Sequence, residues 1–182
     1  SLLKMPLPLL PLQILFLNIV TDVFPALALG ASEGSPRVME RPPRDPDEPV
    51  ITGAHWIWIT VHGLVMGLVT LLAMHLSRQW LGLNEARAVT VSFMTLGLTS
   101  LWHVFNVREK GSGILRNDVV SNPFIWASLL LGVGLLAMAV FLPGLKEVME
   151  LYAPGARGTL LAVGMSLVPL AIGQILKITR YG

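Results

Sequence analysis

PLQILFLNIVTDVFPALALG, residues 11–30, is an apolar run of bilayer length that carries Asn18, Thr21, Asp22 and Pro25 in its middle. About 20 apolar residues cross the hydrocarbon core as a helix. A carboxylate at that depth costs several kcal/mol, so an intramembrane aspartate marks a site by default. Asn18, Thr21 and Asp22 follow i, i+3, i+4 spacing and share one helical face. Pro25 has no N–H to give the carbonyl four residues earlier, so it predicts a helix break that frees the Thr21 carbonyl. Amide oxygen, hydroxyl, carboxylate and freed carbonyl together form the ligand set that hard cations such as calcium or magnesium take. The other reading is structural: Asp22 stays protonated or pairs with a neighbouring helix and only holds packing.

The rest of the chain has the same character. Of 182 residues, 53% are hydrophobic and 13% charged, and the mean hydropathy is +0.67. That is too apolar for a soluble domain of this length and predicts an all-α, polytopic transmembrane helical bundle. Residues 1–182 read as a single transmembrane unit with about five spans, at roughly 8–29, 55–77, 87–105, 123–142 and 159–176. Asp22 is the only acidic residue within them. The net charge is +2, carried by scattered Lys and Arg, so nothing points to nucleic acid. There is no cysteine, which removes disulfides, thiolate metal sites and cysteine nucleophiles. The opening SLLKM lacks the features of a signal peptide, and the chain is expected to be a piece of something longer.

Short-loop Lys and Arg set the orientation. With 30–54 on the cytoplasmic side, eight basic residues lie inside and five outside. That connection has five prolines and alternating charges, so it should be extended and solvent-exposed, either a plain solvated loop or a strap that docks on another domain. The third span carries Ser92, Thr95, Thr99 and Ser100 and is expected to be interior, while the fourth has almost nothing polar and is expected to face lipid. His55, His62, His75 and His103 form no ligand cluster on any one helix and are read as hydrogen-bonding groups. The five tryptophans lie mostly near span ends, where indoles anchor at the headgroups. Neither a G-x-S-x-G turn nor an HExxH helix is present, and no residue is singled out as catalytic.

The run at 11–30 followed by VMERPPRDPDEPVITG at 38–53 closely resembles the sixth membrane helix and following cytoplasmic loop of P-type cation-transporting ATPases. The branch is that of the calcium pumps and their many bacterial relatives. TVSFMTLGLTSLWHVFNVRE at 90–109 resembles that family's eighth helix and VPLAIGQILKI at 168–178 its tenth, so the likeness covers the chain as helices six to ten. It implies that Asn18, Thr21 and Asp22 supply cation ligands from a helix unwound at its middle. It also implies that 30–54, with Arg41, Pro42, Pro43 and Arg44, couples the membrane site to a phosphorylation domain. The implied partners are the lipid bilayer, helices one to five of the same pump, and its phosphorylation, nucleotide-binding and actuator domains. ATP and magnesium would belong to those domains. Their phosphoryl-acceptor motif does not occur here, so this chain alone is expected to be inactive. A bacterial plasma membrane is the implied location.

Two departures from the family pattern bear on the site. Val23 follows the aspartate where the calcium pump has glycine, which shifts the expected unwinding onto Pro25. Ser100 stands where the eighth helix of the two-site pump has a glutamate, so one cation per cycle is expected, with calcium, manganese, magnesium, sodium or protons all open. A secondary transporter or channel using the same Asp22 patch without ATP is the alternative, although such folds pair two broken helices and only one break is evident here.

Overall fold

A computed structural model describes residues 7–31, 49, 51–106 and 119–181, apart from the side chains of 54 and 177–181. Among the described residues the chain is helical, and five of its helical segments are long and apolar enough to cross a membrane. The first is composite: α1 (Pro11–Asn18), a π-helical turn (Ile19–Val23) and α2 (Phe24–Gly30) run on without a gap. The others are α3 (Gly53–Gln79), α4 (Glu85–Trp102) with a 3-10 extension (His103–Asn106), α5 (Pro123–Phe141) and α7 (Gly155–Tyr181). A single turn, α6 (Leu145–Val148), lies between α5 and α7. The chain therefore forms a multi-pass integral membrane protein.

Local chemistry sets the helix starts. Pro11 opens α1, and Gln13 accepts the Leu10 N–H at 3.1 Å. Asn84 caps α4 by accepting from the Arg87 N–H at 3.0 Å, and Asn122 caps α5 by accepting from the Phe124 N–H at 2.8 Å, directly before Pro123. These are the side chains that satisfy orphan amides best.

α4 is the axis of the bundle. In its membrane-length window 72% of residues are buried, against 22–39% in the other four spans, although it is the least apolar of the five. It packs on α3 and α7 on one side and on α5 and the π turn on the other. Phe93, Val91 and Leu101 fill the centre with Leu17, Val20, Ile125 and Val140 around them. Two glycines let the helices close in. A Cβ on Gly97 would sit 2.8 Å from Leu136 and 2.9 Å from Leu17, and one on Gly132 would sit 2.7 Å from Leu101.

The polar residues of α4 behave differently from a set that mainly bridges helices. Thr90, Ser92 and Thr95 donate to the carbonyls of Ala86, Ala88 and Val91 in their own helix, at 3.2, 3.3 and 2.8 Å. Back-bonding of this kind satisfies a buried hydroxyl without a partner helix. Among these donors, only those near the last turn reach another helix. Thr99 reaches the Ser166 carbonyl of α7 at 3.4 Å, and Trp102 donates its indole N–H to the Ser166 hydroxyl at 3.2 Å.

The end of the bundle opposite the 30–54 connection is tied down by a side chain that hydrophobic patterning passes over. Gln13 is fully buried and donates Nε2 to the Met149 carbonyl at 2.9 Å. Thr90 accepts the Tyr152 N–H at 2.9 Å. Together they clamp the α5–α7 connection onto α1 and α4.

A candidate cation site beside a π turn

The irregularity expected at Pro25 takes the form of a π turn rather than an open break. Ile19–Val23 keeps αR geometry on both flanks, with Asn18 at φ −55°, ψ −43° and Phe24 at φ −69°, ψ −45°. Pro25 is then the second residue of α2, a position where its missing N–H costs little. The proline therefore starts a new α-helix, and the widened turn before it absorbs the mismatch. Single π turns of this sort are frequent at functional sites.

The π turn also splits the polar triplet. Thr21 is buried, while Asn18 and Asp22 are exposed. Thr21 donates its hydroxyl to Asp22 Oδ1 at 3.0 Å, which orients the carboxylate. Asp22 and Thr21 line a cleft of about 320 Å³ with Pro25, Ala26 and Leu29 of α2, Met66 of α3, and Ser100, His103 and Val104 of α4 and its extension. Asn18 is not among the lining residues. The structure thus brings Thr21, Asp22 and Ser100 to one cavity and leaves Asn18 on the outer surface of the same helix.

Chemically the cleft offers one carboxylate, two hydroxyls and an imidazole. Among the described residues no group of three or more His, Asp or Glu side chains is close enough to hold a metal ion. Asp22 and its neighbours are therefore a partial ligand set. The coupling residues Arg41, Pro42, Pro43 and Arg44 lie outside the described residues.

His103, which lines the cleft, makes a contact behind it that no spacing of histidines along one helix signals. His62 on α3 and His103 at the end of α4 meet across the helix pair, with ring centroids 5.0 Å apart and planes at 60°. Neither shares a helix with the other, so no sequence spacing signals the contact. The antiparallel pairing of α3 and α4 creates it.

Comparison with known proteins gives this arrangement its context. Residues 6–179 match the family described as cation transporting ATPase, C-terminus. A calcium-transporting ATPase of Bacillus subtilis (strain 168) is 35% identical over 177 residues, covering 96% of this chain and 20% of the relative. The calcium-transporting ATPase 1 of Bacillus cereus is 28% identical over 188 residues, covering 95% of this chain and 21% of the relative. A probable cation-transporting ATPase F of Mycobacterium tuberculosis is 31% identical over 157 residues, covering 79% and 16%. The chain thus spans about a fifth of the length of these relatives. With the match running through all five membrane-length helices and the polar π turn, the chain belongs to the C-terminal membrane domain family of P-type cation-transporting ATPases.

Proposed function

We propose that this chain is the C-terminal membrane part of an ATP-driven cation pump and contributes ligands to a single transported cation. Asp22 and Thr21 act from the cleft and Asn18 from the outer face of the same helix. The observation that carries the reading is the placement of Asp22. Its carboxylate accepts from Thr21 and borders a cleft, yet it stays exposed on a helix of bilayer length. A bare carboxylate facing lipid tails is costly, so further helices of the pump cover this face and complete the coordination. Calcium is the first cation to test, since the relatives from both Bacillus species are named calcium-transporting.

In this reading the cation is cargo. It neutralises Asp22 and replaces its hydration with protein oxygens, as hard cations require. Ser100 gives the far wall a neutral hydroxyl, which favours one bound cation over two. The 30–54 connection, through Arg41, Pro42, Pro43 and Arg44, transmits the phosphorylation state to this helix. The test is calcium-stimulated phosphoenzyme formation by the full-length pump with Asp22→Asn. The reading expects the calcium requirement to rise at least tenfold; an unchanged requirement would remove Asp22 from the site.

A further inference from the structure

One wall of the cleft ends in a turn that α7 holds from outside. Ser100, in the last turn of α4, and Val104, in its 3-10 extension, line the cleft, whereas no α7 residue is among the described lining. Gln174 of α7 donates Nε2 hydrogens into that extension, to the Phe105 carbonyl at 3.1 Å and to Asn106 Oδ1 at 2.8 Å. Carbonyls at a helix end lack a partner within the helix, so the Phe105 carbonyl takes its donor from α7. Asn106 is buried and lies against Gly173, where an added Cβ would meet its Cγ at 2.7 Å and its Oδ1 at 2.9 Å. On another side the Phe105 ring packs on Trp126 of α5, with centroids 5.4 Å apart. The arrangement does not satisfy the two amides fully. Asn106 Nδ2 and Gln174 Oε1 are buried and have no partner among the described residues. A reciprocal pair of carboxamides would join them, yet Gln174 directs one hydrogen to the Phe105 carbonyl instead. A buried network left half satisfied lowers stability, and proteins depart from full satisfaction chiefly where function needs the geometry.

We propose that Gln174, with Asn106 seated on Gly173, is a positioning residue for cation binding: it acts from outside the cleft by fixing the 3-10 turn that carries Val104 and follows Ser100. The proposal rests on the cleft being the cation site. Asp22 is oriented separately, by the Thr21 hydroxyl on the π turn. A displaced 3-10 turn therefore shifts Ser100 and Val104 relative to a carboxylate that stays where it was. The cation then meets a cleft of altered width in which every ligand is still present. The effect falls on cation affinity, while phosphoryl transfer, which takes place outside this chain, is untouched.

The test uses the full-length pump with calcium as the probe cation. Gln174→Met keeps the length of the side chain and removes its donated hydrogens, and Gly173→Ala displaces Asn106. Each is expected to raise the calcium needed for half-maximal phosphoenzyme formation about fivefold. Phosphorylation by inorganic phosphate without calcium should stay at the wild-type level. An unchanged calcium requirement in a variant that inorganic phosphate still labels overturns the proposal. Loss of that labelling in both variants would show a purely structural latch and overturns it too. In an Asn106→Ala background, adding Gly173→Ala should leave the calcium requirement where it is, because the new Cβ has nothing to displace. A further rise there would place the effect in α7 itself. A second readout does not use calcium. Residues 1–182 contain no cysteine, so in a pump whose other cysteines are replaced Val104→Cys puts a single thiol on the turn. Val104 is 5% exposed, and the thiol should react with a maleimide several-fold faster once Gln174→Met is added; an equal rate overturns the proposal. Asp22→Asn keeps the two readings apart. A raised calcium requirement there, with none in the α7 variants, sinks only this proposal. An unchanged requirement there removes the ligand assignment, and the thiol rate still decides whether Gln174 holds the turn.

Discussion

Trp102 on α4 and Ser166 on α7 are joined by an indole N–H to hydroxyl hydrogen bond of 3.2 Å, and Ser166 in turn donates to the Val163 carbonyl at 2.7 Å. Ser166 is fully buried and sits where α7 meets the end of α4. Interhelical hydrogen bonds in membranes average about 0.6 kcal/mol and reach about 1.7. Ser166→Ala should therefore lower the stability of the detergent-solubilised pump by about 1 kcal/mol, read as a lower thermal midpoint. An unchanged midpoint would show that packing alone holds α4 to α7.

Gly97 is a point where α4 comes close to both α1 and α5. A Cβ there meets the ends of Leu136 and Leu17, which are flexible, so Gly97→Ala should cost only about 1 kcal/mol and Gly97→Leu about 3 or more. Leu136→Ala opens room on one side. In that background the cost of Gly97→Ala should fall by about half, the non-additivity expected of residues in contact. Strict additivity in a double-mutant cycle would refute the contact.

Gln13→Leu tests the clamp at the far end. The substitution keeps the volume but leaves the Met149 carbonyl without its donor, a loss of about 1–3 kcal/mol. The 142–154 connection should become more sensitive to protease added on that side. Equal cleavage in the two proteins would mean that Leu151 and Met149, both buried, hold the loop by themselves.

Thr21 separates orientation from bulk. Thr21→Ser retains the hydroxyl that orients Asp22, so calcium affinity in the full-length pump should stay within about threefold of wild type. Thr21→Val keeps the shape and loses the donor, and affinity should fall about tenfold, equivalent to about 1.4 kcal/mol. Equal affinities for the two variants would show that the hydroxyl is not used.

Arg41 and Arg44 test the strap. Changing both to alanine should slow ATP turnover several-fold while leaving the calcium concentration for half-maximal phosphorylation unmoved. A shifted calcium requirement with normal turnover would assign the loop to the site instead.

Much of this was legible in the chain, and the reasons are physical. Bilayer thickness imposes a length that any apolar run must meet, so the five spans stand out, and back-to-back hydroxyls mark α4 as interior. The polar triplet stands out because its cost in oil is high. Other features depend on neighbours. Whether Pro25 breaks the helix or is absorbed by a π turn depends on how Val20, Pro25 and Ala28 pack, since all three are buried. Asn18 and Asp22 share an α-helical face in the sequence, yet only Asp22 reaches the cleft once the turn widens. The His62–His103 contact requires two antiparallel helices in register. Gln13 reads as a polar blemish in an apolar run until the Met149 carbonyl is placed opposite it.

The self-bonded hydroxyls of α4 also bear on how the chain enters the membrane. A nascent helix leaving the translocon must partition into lipid before later segments have been synthesised. With Thr90, Ser92 and Thr95 already occupied by their own backbone, α4 can do so alone despite its polarity. Its final turn is less independent. Thr99, Trp102 and Asn106 find partners on Ser166 and Gln174, which the ribosome makes more than 60 residues later. α7 can therefore latch onto that turn only after its own synthesis.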